Sequence, residues 1–305
     1  MPSTRQRGHS CKARFRLLRG VLLLAANLMT FRSDIRADVV VDWSFNQSSG
    51  TIAPDSGPNG VNGTLSGGAT WTAGYGQNAV SIGGDEFVDF TQAGSPKVPG
   101  AISNLSRGSI GVRFFVDSFP ADQASHPILP ILWMGRDYGG DGQFGLTIEI
   151  GHAPPYSTPD HSIYFTIFNS ESKPIFCFNS MQFITAGAWH SFVVVISDSG
   201  NTGYLDTVEM TDRHYNFGNP SSTDFFSSVT SPSSALWVGK GFFGLEPNPY
   251  HFNGQIQNLR IFDQPLTAQQ VVELYSVPEP TSLALLTAGV LGLFARLPWR
   301  RRSTP

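Results

Sequence analysis

The fold class is decided by the stretch Gly187-Ala188-Trp189-His190-Ser191-Phe192-Val193-Val194-Val195-Ile196. From Phe192 to Ile196 every residue is apolar, and a continuous apolar run of this length fits a strand that is covered on both faces. Asp198-Ser199-Gly200-Asn201 follows and predicts a turn. A second strand is predicted from Ile110 to Val116, where apolar residues alternate with the period of two of a half-buried strand.

The surrounding sequence extends this β pattern to one domain of 239 residues, from Asp38 to Ser276. It is rich in Gly, Ser, Asn, Pro and Phe, and short apolar segments recur between turn clusters such as Pro58-Asn59-Gly60 and Gly67-Gly68. A length of this order is common for a single all-β domain. The Ser/Pro-rich piece from Asn219 to Ser234 predicts a long exposed loop.

One short helix is predicted at the end of this domain. Thr267 can cap a helix, and Gln270 follows at the spacing of a capping box. Val271, Leu274 and Tyr275 would then face the sheet. The folded domain is therefore expected to end at about residue 276.

The N-terminus has the features of a secretory signal peptide over residues 1–37. The apolar segment from Val21 to Met29 is too short to span a membrane, and Ile35-Arg36-Ala37 is a loosely A-x-A-like cleavage site before Asp38. A cytosolic amphipathic start is the alternative. The basic residues ahead of the apolar segment are Arg5, Arg7, Lys12, Arg14, Arg16 and Arg19.

The C-terminus combines a short motif, an apolar run and a basic end over residues 277–305. Val277-Pro278-Glu279-Pro280 is followed by 17 residues from Thr281 to Leu297 and by Arg300-Arg301-Arg302. As a helix the run would be about 25 Å long, the lower limit for a transmembrane helix. The arginines favour a cytoplasmic tail, with the domain outside.

This order of features resembles the PEP-CTERM sorting signal, which a membrane protease of the exosortase type reads and cuts. The resemblance implies export, transient association with the inner membrane, and delivery to the cell surface or the extracellular space. Residues Val277, Pro278, Glu279 and Pro280 would form the sorting motif. A plain C-terminal anchor is the alternative.

Charge and cysteine content limit the partners of the mature protein. Between Asp38 and Ser276 there are 8 basic and 21 acidic residues, a net charge of −13. Such a surface argues against binding of nucleic acid and of anionic lipid. Cys11 lies in the signal peptide, so Cys177 would remain without a disulfide partner, in an apolar strand-like run that indicates a buried structural thiol.

Four segments together resemble a LamG-like jelly roll of the concanavalin A-like lectin and glucanase superfamily. The resemblance implies a two-sheet antiparallel sandwich with a curved concave face, followed here by the transmembrane-type helix. The segments lie in the order found in the family and are spread over nearly the whole length of the domain: Asp42–Gly63, Ser109–Phe114, Gly187–Asp206 and Phe252–Tyr275.

The aromatic residues and histidines admit structural and ligand-binding interpretations. Trp43, Trp71, Trp189 and Trp237 are predicted core aromatics, and a sugar-stacking platform is the alternative for any one of them. His190 is predicted to be a hydrogen-bonded strand residue. The histidines show no spacing with cysteine that would indicate zinc.

Family relatives include glucanases with paired carboxylates on one strand, and this sequence shows no such pair. Glu149 stands alone in Thr147-Ile148-Glu149-Ile150-Gly151. Asp85, Glu86 and Asp89 follow Gly83-Gly84 and are predicted to lie in a solvated loop. We therefore expect no catalytic residues, although carboxylates distant in sequence could converge.

The resemblance also raises the question of calcium, which many LamG-like domains hold at the sheet rim. An acidic family position is occupied here by Gln257, which puts the site in doubt and leaves the metal ligands unknown. The stretch from Asp137 to Asp141 is another oxygen-rich loop that matches no complete calcium-binding pattern. No cofactor is firmly indicated, and calcium remains an open alternative.

The sequence favours a non-catalytic surface or matrix protein that binds carbohydrate or mediates adhesion. A glycoside hydrolase of the same fold and a purely structural matrix protein are the alternatives. Extracellular polysaccharide and an exosortase-type protease are the expected partners.

Overall fold

A computed structural model describes residues 39–119, 128–137, 145–152, 161–170, 173–229, 233–242 and 248–275. The predicted signal peptide 1–37, its cleavage site at Ala37 and Asp38, and the segment 277–305 lie outside these residues. Within the described ranges no helix is long and apolar enough to cross a membrane.

The first sheet of the described domain has eight strands, all joined by antiparallel pairing. Their order is β14-β13-β12-β7-β19-β5-β4, and β1 also pairs with β19. The strands are β1 (Val39–Trp43), β4 (Thr70–Ala73), β5 (Asn78–Ile82), β7 (Gly108–Val116), β12 (Trp189–Ser197), β13 (Gly200–Leu205), β14 (Val208–Glu209) and β19 (Gly254–Phe262).

Among the described residues, the second sheet has nine antiparallel strands in the order β15-β11-β10-β9-β8-β16-β6-β3-β2. They are β2 (Ile52–Ala53), β3 (Gly63–Ser66), β6 (Phe87–Asp89), β8 (Leu129–Gly135), β9 (Gly145–His152), β10 (His161–Ser170), β11 (Lys173–Asn179), β15 (His214–Phe217) and β16 (Ala235–Val238). A separate short pair is formed by β17 (Lys240–Gly241) and β18 (Tyr250–His251).

One apolar core lies between the two large sheets. Both contribute alternate residues to it, for instance Phe114 and Phe192 from the eight-stranded sheet and Ile148 and Phe165 from the nine-stranded sheet. Because successive side chains of a strand point to opposite faces, the remaining residues lie on the two outer faces. The predicted all-β sandwich is therefore confirmed.

The two strands predicted around Ile110–Val116 and Phe192–Ile196 are both present. Ile110, Val112, Phe114 and Val116 are buried, and the residues from Phe192 to Ile196 are buried on both faces as expected. The turn after this strand is shorter than predicted, because Gly200 and Asn201 already belong to β13.

The predicted long exposed loop at 219–234 is only partly correct. A 3₁₀ helix at Phe226–Ser228 interrupts it, and Phe225 and Phe226 are fully buried in the core. Two adjacent phenylalanines bury enough apolar surface to outweigh the turn-forming composition of the flanking residues.

Two short helices complete the described elements, α1 (Gly100–Ser103) and α2 (Ala268–Tyr275). The capping box of α2 is confirmed: the Thr267 backbone N–H donates to Gln270 Oε1 at 2.9 Å, and the Gln270 N–H donates to Thr267 Oγ1 at 3.3 Å. Val271, Leu274 and Tyr275 are buried, as predicted. The helix packs on β7, where a Cβ at Gly111 would lie 2.7 Å from the Tyr275 hydroxyl.

Candidate functional site

Two neighbouring rows of side chains cross the outer face of the eight-stranded sheet. Register pairs Gln255 with Phe115 and Phe115 with Trp189, while Gln257 pairs with Arg113 and Arg113 with Ser191. Their sequence neighbours Phe114, Phe192 and Ile256 all lie in the core, so both rows face away from it.

Three rings form an aromatic patch on this face: Tyr75, Phe115 and Trp189. The centroids of Tyr75 and Trp189 are 6.3 Å apart at 58°, and those of Phe115 and Trp189 are 5.6 Å apart at 51°. Tyr75 is 46% exposed and the other two rings are half-buried. The patch is thus a group of tilted, partly exposed rings.

The position of Trp189 corrects the prediction that it is a core aromatic. Trp189 is the first residue of β12, and the strand alternation places it on the outer face. Trp71 is also only half-buried: it packs against the core, and its Nε1–H donates to the Gly50 carbonyl at 2.8 Å. Trp43 and Trp237 are buried as predicted.

Arg113 joins the aromatic patch to helix α2. Its guanidinium carbon lies 4.6 Å from the Tyr75 ring centroid and 5.2 Å from that of Tyr275. Its Nη2 donates to the Tyr275 carbonyl at 2.5 Å. Burial lowers the pKa of Arg113, while the nearby Tyr275, Tyr75 and Asp206 act in the opposite direction.

Gln257 fixes the backbone of Tyr75. Gln257 is fully buried; its Oε1 accepts from the Tyr75 N–H at 2.8 Å and its Nε2 donates to the Tyr75 carbonyl at 3.2 Å. The packing is close, since a Cβ at Gly74 would lie 2.3 Å from Gln257 Oε1. Both polar atoms of the amide are therefore used within the loop that carries Tyr75.

These contacts do not fit a calcium ion at the Gln257 position. Calcium prefers several oxygen ligands including carboxylates, whereas Gln257 is neutral and its oxygen already accepts a backbone hydrogen bond. Elsewhere in the described ranges, no group of three or more His, Cys, Asp or Glu side chains is placed to hold a metal ion. Asp137 accepts from Ser234 Oγ at 2.8 Å, and Asp141 lies outside the described residues.

His190 is a hydrogen-bonded strand residue, as predicted. Its Nδ1 lies 2.9 Å from Asp206 Oδ2, and its Nε2 lies 3.2 Å from the Thr185 carbonyl oxygen. Burial disfavours the charged ring, but the hydrogen bond and charge of Asp206, with the Thr185 carbonyl, outweigh it and raise the pKa of His190. The His190–Asp206 contact joins β12 to the end of β13.

The outer face of the nine-stranded sheet carries buried polar side chains around Glu149. Thr147 Oγ1 donates to Glu149 Oε2 at 3.2 Å, and Glu149 is 6% exposed. Burial raises the pKa of Glu149 to about 7, although the Thr147 hydrogen bond acts against this. On this face its register neighbours are Tyr164 and Pro130, so none of these adjacent side chains is a second carboxylate.

Cys177 lies on the same outer face, two strands from Glu149. Thr166 Oγ1 donates to its Sγ at 3.2 Å, and Asn216 Nδ2 lies 3.7 Å from it. Burial raises the pKa of the Cys177 thiol to about 12. Because the thiolate is the reactive form, this is the inert structural cysteine that the sequence predicted.

A buried aromatic cluster lies on the other half of the nine-stranded sheet. Trp133, Trp237 and Phe242 pack together, and the Lys240 Nζ lies 4.4 Å from the Trp237 ring centroid. Trp133 and Trp237 are too deeply buried to stack on a sugar. Burial lowers the pKa of Lys240, which its proximity to Asp89 and Asp85 partly offsets.

The acidic residues near Gly83 do not form one solvated loop. Asp85 and Glu86 belong to the predicted turn, where Glu86 Oε2 accepts from the Gly83 N–H at 2.8 Å. Asp89 instead lies in β6 opposite Trp237, and its Oδ1 accepts from the Thr91 N–H at 2.9 Å.

Comparison with family models agrees with this architecture. Residues 135–272 match the concanavalin A-like lectin/glucanases superfamily (Laminin_G_3), and residues 276–302 match the PEP-CTERM protein-sorting motif. These matches agree with the LamG-like, concanavalin A-like domain and the C-terminal sorting motif that the sequence predicted. None of the curated proteins matches it significantly.

Several solved structures are similar to this chain at low sequence identity. Domain 4 of AbnA, a GH43 extracellular arabinanase of Geobacillus stearothermophilus in complex with arabinotriose, is 16% identical, with 78% of this chain and 98% of that one covered and a TM-score of 0.48. The Ruminococcus gnavus IT-sialidase CBM40 bound to α2,3-sialyllactose is 14% identical over 65% and 95% of the chains, with a TM-score of 0.46. The Trypanosoma rangeli sialidase is 12% identical over 84% of this chain and 38% of its own, with a TM-score of 0.48.

Proposed function

We propose that this protein is an exported, non-catalytic surface or matrix protein that binds carbohydrate, or mediates adhesion, through its LamG-like domain. Fold alone does not fix function. The proposal is therefore supported by the side chains that the two outer faces present and by the sorting motif after the domain.

The observation that supports the non-catalytic assignment is that none of the described side chains adjacent to Glu149 is a second carboxylate. Hydrolysis by paired carboxyl groups needs a second one at about 5–5.5 Å in retaining enzymes or about 6.5–9.5 Å in inverting enzymes. Among the described residues, Tyr164 and Pro130 are in register with Glu149, and Thr147 lies two residues earlier on the same strand.

The binding experiment uses the full-length chain after export and purification. Glycan-array and matrix-pulldown measurements should detect specific binding to a polysaccharide. Absence of binding to every glycan and to the matrix would overturn the carbohydrate-binding role and favour a purely structural protein.

The glycoside hydrolase alternative is favoured by one observation, the pKa of about 7 at Glu149, which would suit a general acid. Turnover of β-glucans by the wild type, abolished in Glu149→Gln and retained in Glu209→Gln, would establish that activity. Glu209 is an exposed glutamate on β14 and serves as the matched control.

We also propose that the chain is cleaved near both of its termini during maturation. A signal peptidase would cut between Ala37 and Asp38, and an exosortase-type protease would cut near Val277 to Pro280, after transient association with the inner membrane. Helix α2 ends at Tyr275 and the matched motif begins at residue 276, so the motif directly follows the packed domain. Mass spectrometry of surface protein should find neither terminus; an intact tail there would refute the cleavage step.

A further inference from the structure

We infer that the aromatic patch of Tyr75, Phe115 and Trp189 is the binding surface for a neutral polysaccharide, with Gln257 as its positioning residue in place of a calcium ion. This inference rests on the proposed carbohydrate-binding function. It adds the place of binding, the charge class of the ligand and independence from calcium.

The patch combines exposure with rigidity. Tyr75 leaves nearly half of its surface exposed, yet its backbone N–H and carbonyl are both bound by the buried amide of Gln257. Arg113 lies against one face of the ring and is itself held by the Tyr275 carbonyl. A ring fixed in this way loses little conformational entropy when a ligand stacks on it.

The chemistry of the patch fits a sugar ring. The face of an aromatic ring is electron-rich, and it attracts the weakly positive C–H groups on the apolar face of a pyranose. Gln255, which is half-buried, lies beside Phe115 in the same row and adds an amide group next to the rings.

The charges favour a neutral over an acidic polysaccharide. The domain from Asp38 to Ser276 has a net charge of −13, which disfavours the approach of polyanions. Arg113 is the cation at the patch, and it is engaged by the Tyr275 carbonyl and by two aromatic rings. An incoming carboxylate would have to compete with these contacts.

The first experiment measures binding of the exported protein to a neutral β-glucan and to alginate by affinity electrophoresis. Trp189→Ala and Tyr75→Ala should each weaken β-glucan binding by about tenfold, the loss of one ring contact near the upper end of its usual strength. Phe217→Ala is the matched control, because Phe217 is 48% exposed but belongs to the edge of the other sheet. Binding should persist in EDTA.

The positioning role of Gln257 is tested by a double-mutant cycle. Gln257→Glu places a carboxylate against the Tyr75 carbonyl and should weaken binding, but it should add nothing once Tyr75 is already alanine. Additive losses would show that Gln257 acts through the general fold instead.

The outcomes distinguish a failure of the aromatic patch from a failure of the proposed carbohydrate-binding function. β-Glucan binding that is unaffected by Trp189→Ala and Tyr75→Ala overturns the patch and leaves the proposed function standing. Binding of alginate in preference to β-glucan, or loss of binding in EDTA, overturns the ligand class or the calcium independence. A wild-type protein that binds no glycan refutes the proposed function itself.

Discussion

Glu149 gives a quantitative prediction for the stability of the domain. Burial raises its pKa from the usual 4.5 to about 7. At 1.36 kcal/mol per pKa unit, the charged form is disfavoured in the folded state by about 3 kcal/mol. Replacing Glu149 by the neutral isostere glutamine should remove this penalty.

The direction of the pH dependence of stability follows from the raised pKa of Glu149. The folded protein holds the Glu149 proton more tightly than the unfolded chain, so this contribution to stability is fully present below about pH 4.5 and is lost as the pH rises to about 7. Glu149→Gln should therefore match the wild type at pH 4 and be more stable by about 3 kcal/mol at pH 8.

The assay is equilibrium urea unfolding of both proteins at pH 4, 6 and 8, compared as a difference so that other titrating groups cancel. Glu209→Gln, which removes an exposed carboxyl group on β14, is the matched control. A difference between Glu149→Gln and wild type that is constant with pH, or a wild type that is the more stable protein at pH 8, would refute the reasoning.

Three further outcomes can be measured on the same protein. Thr267→Ala removes one partner of the capping box with Gln270 and should cost about 1 kcal/mol in urea unfolding; no measurable loss would contradict a role for the box in stability. Gly111→Ala places a methyl group against helix α2 and should destabilise by about 1–3 kcal/mol, whereas Gly83→Ala, whose nearest atom would be 3.7 Å away, should have little effect. Cys177 should resist thiol reagents at pH 8 until the protein is denatured, and rapid labelling of the native protein would contradict its burial.

The sequence predicted those parts of the fold that depend on local patterns. Alternation located the strand around Ile110, the continuous apolar run located the strand at Phe192, and the capping box located helix α2. Each of these features is decided by residues within one element, so no knowledge of distant partners is required.

The candidate site was missed because it depends on which strands become neighbours. Tyr75 lies in a loop, Phe115 in β7 and Trp189 in β12, and only their register brings the three rings together. Strand alternation could have placed Phe115 on the outer face. The hydrogen bonds from Gln257 to Tyr75 join residues 182 positions apart, and no local signal predicts such a pairing.

The burial of Glu149 is another feature that one strand could not reveal. Alternation assigns Glu149 to the outer face, which usually indicates solvent exposure for a carboxyl group. Its actual burial, which raises its pKa, could not be read from the alternation of one strand.

Strand β1, the first strand of the domain, pairs with the last strand, β19, and so can pair only when β19 has formed. Val39 pairs with Phe262, and β19 also separates β7 from β5, so the centre of the eight-stranded sheet cannot assemble before residues 254–262 are available. Pairing over such a separation slows folding. The matched sorting motif begins at residue 276, within 14 residues of Phe262. A chain that emerges from its N-terminus would therefore present the matched motif at almost the moment when its domain first becomes able to close.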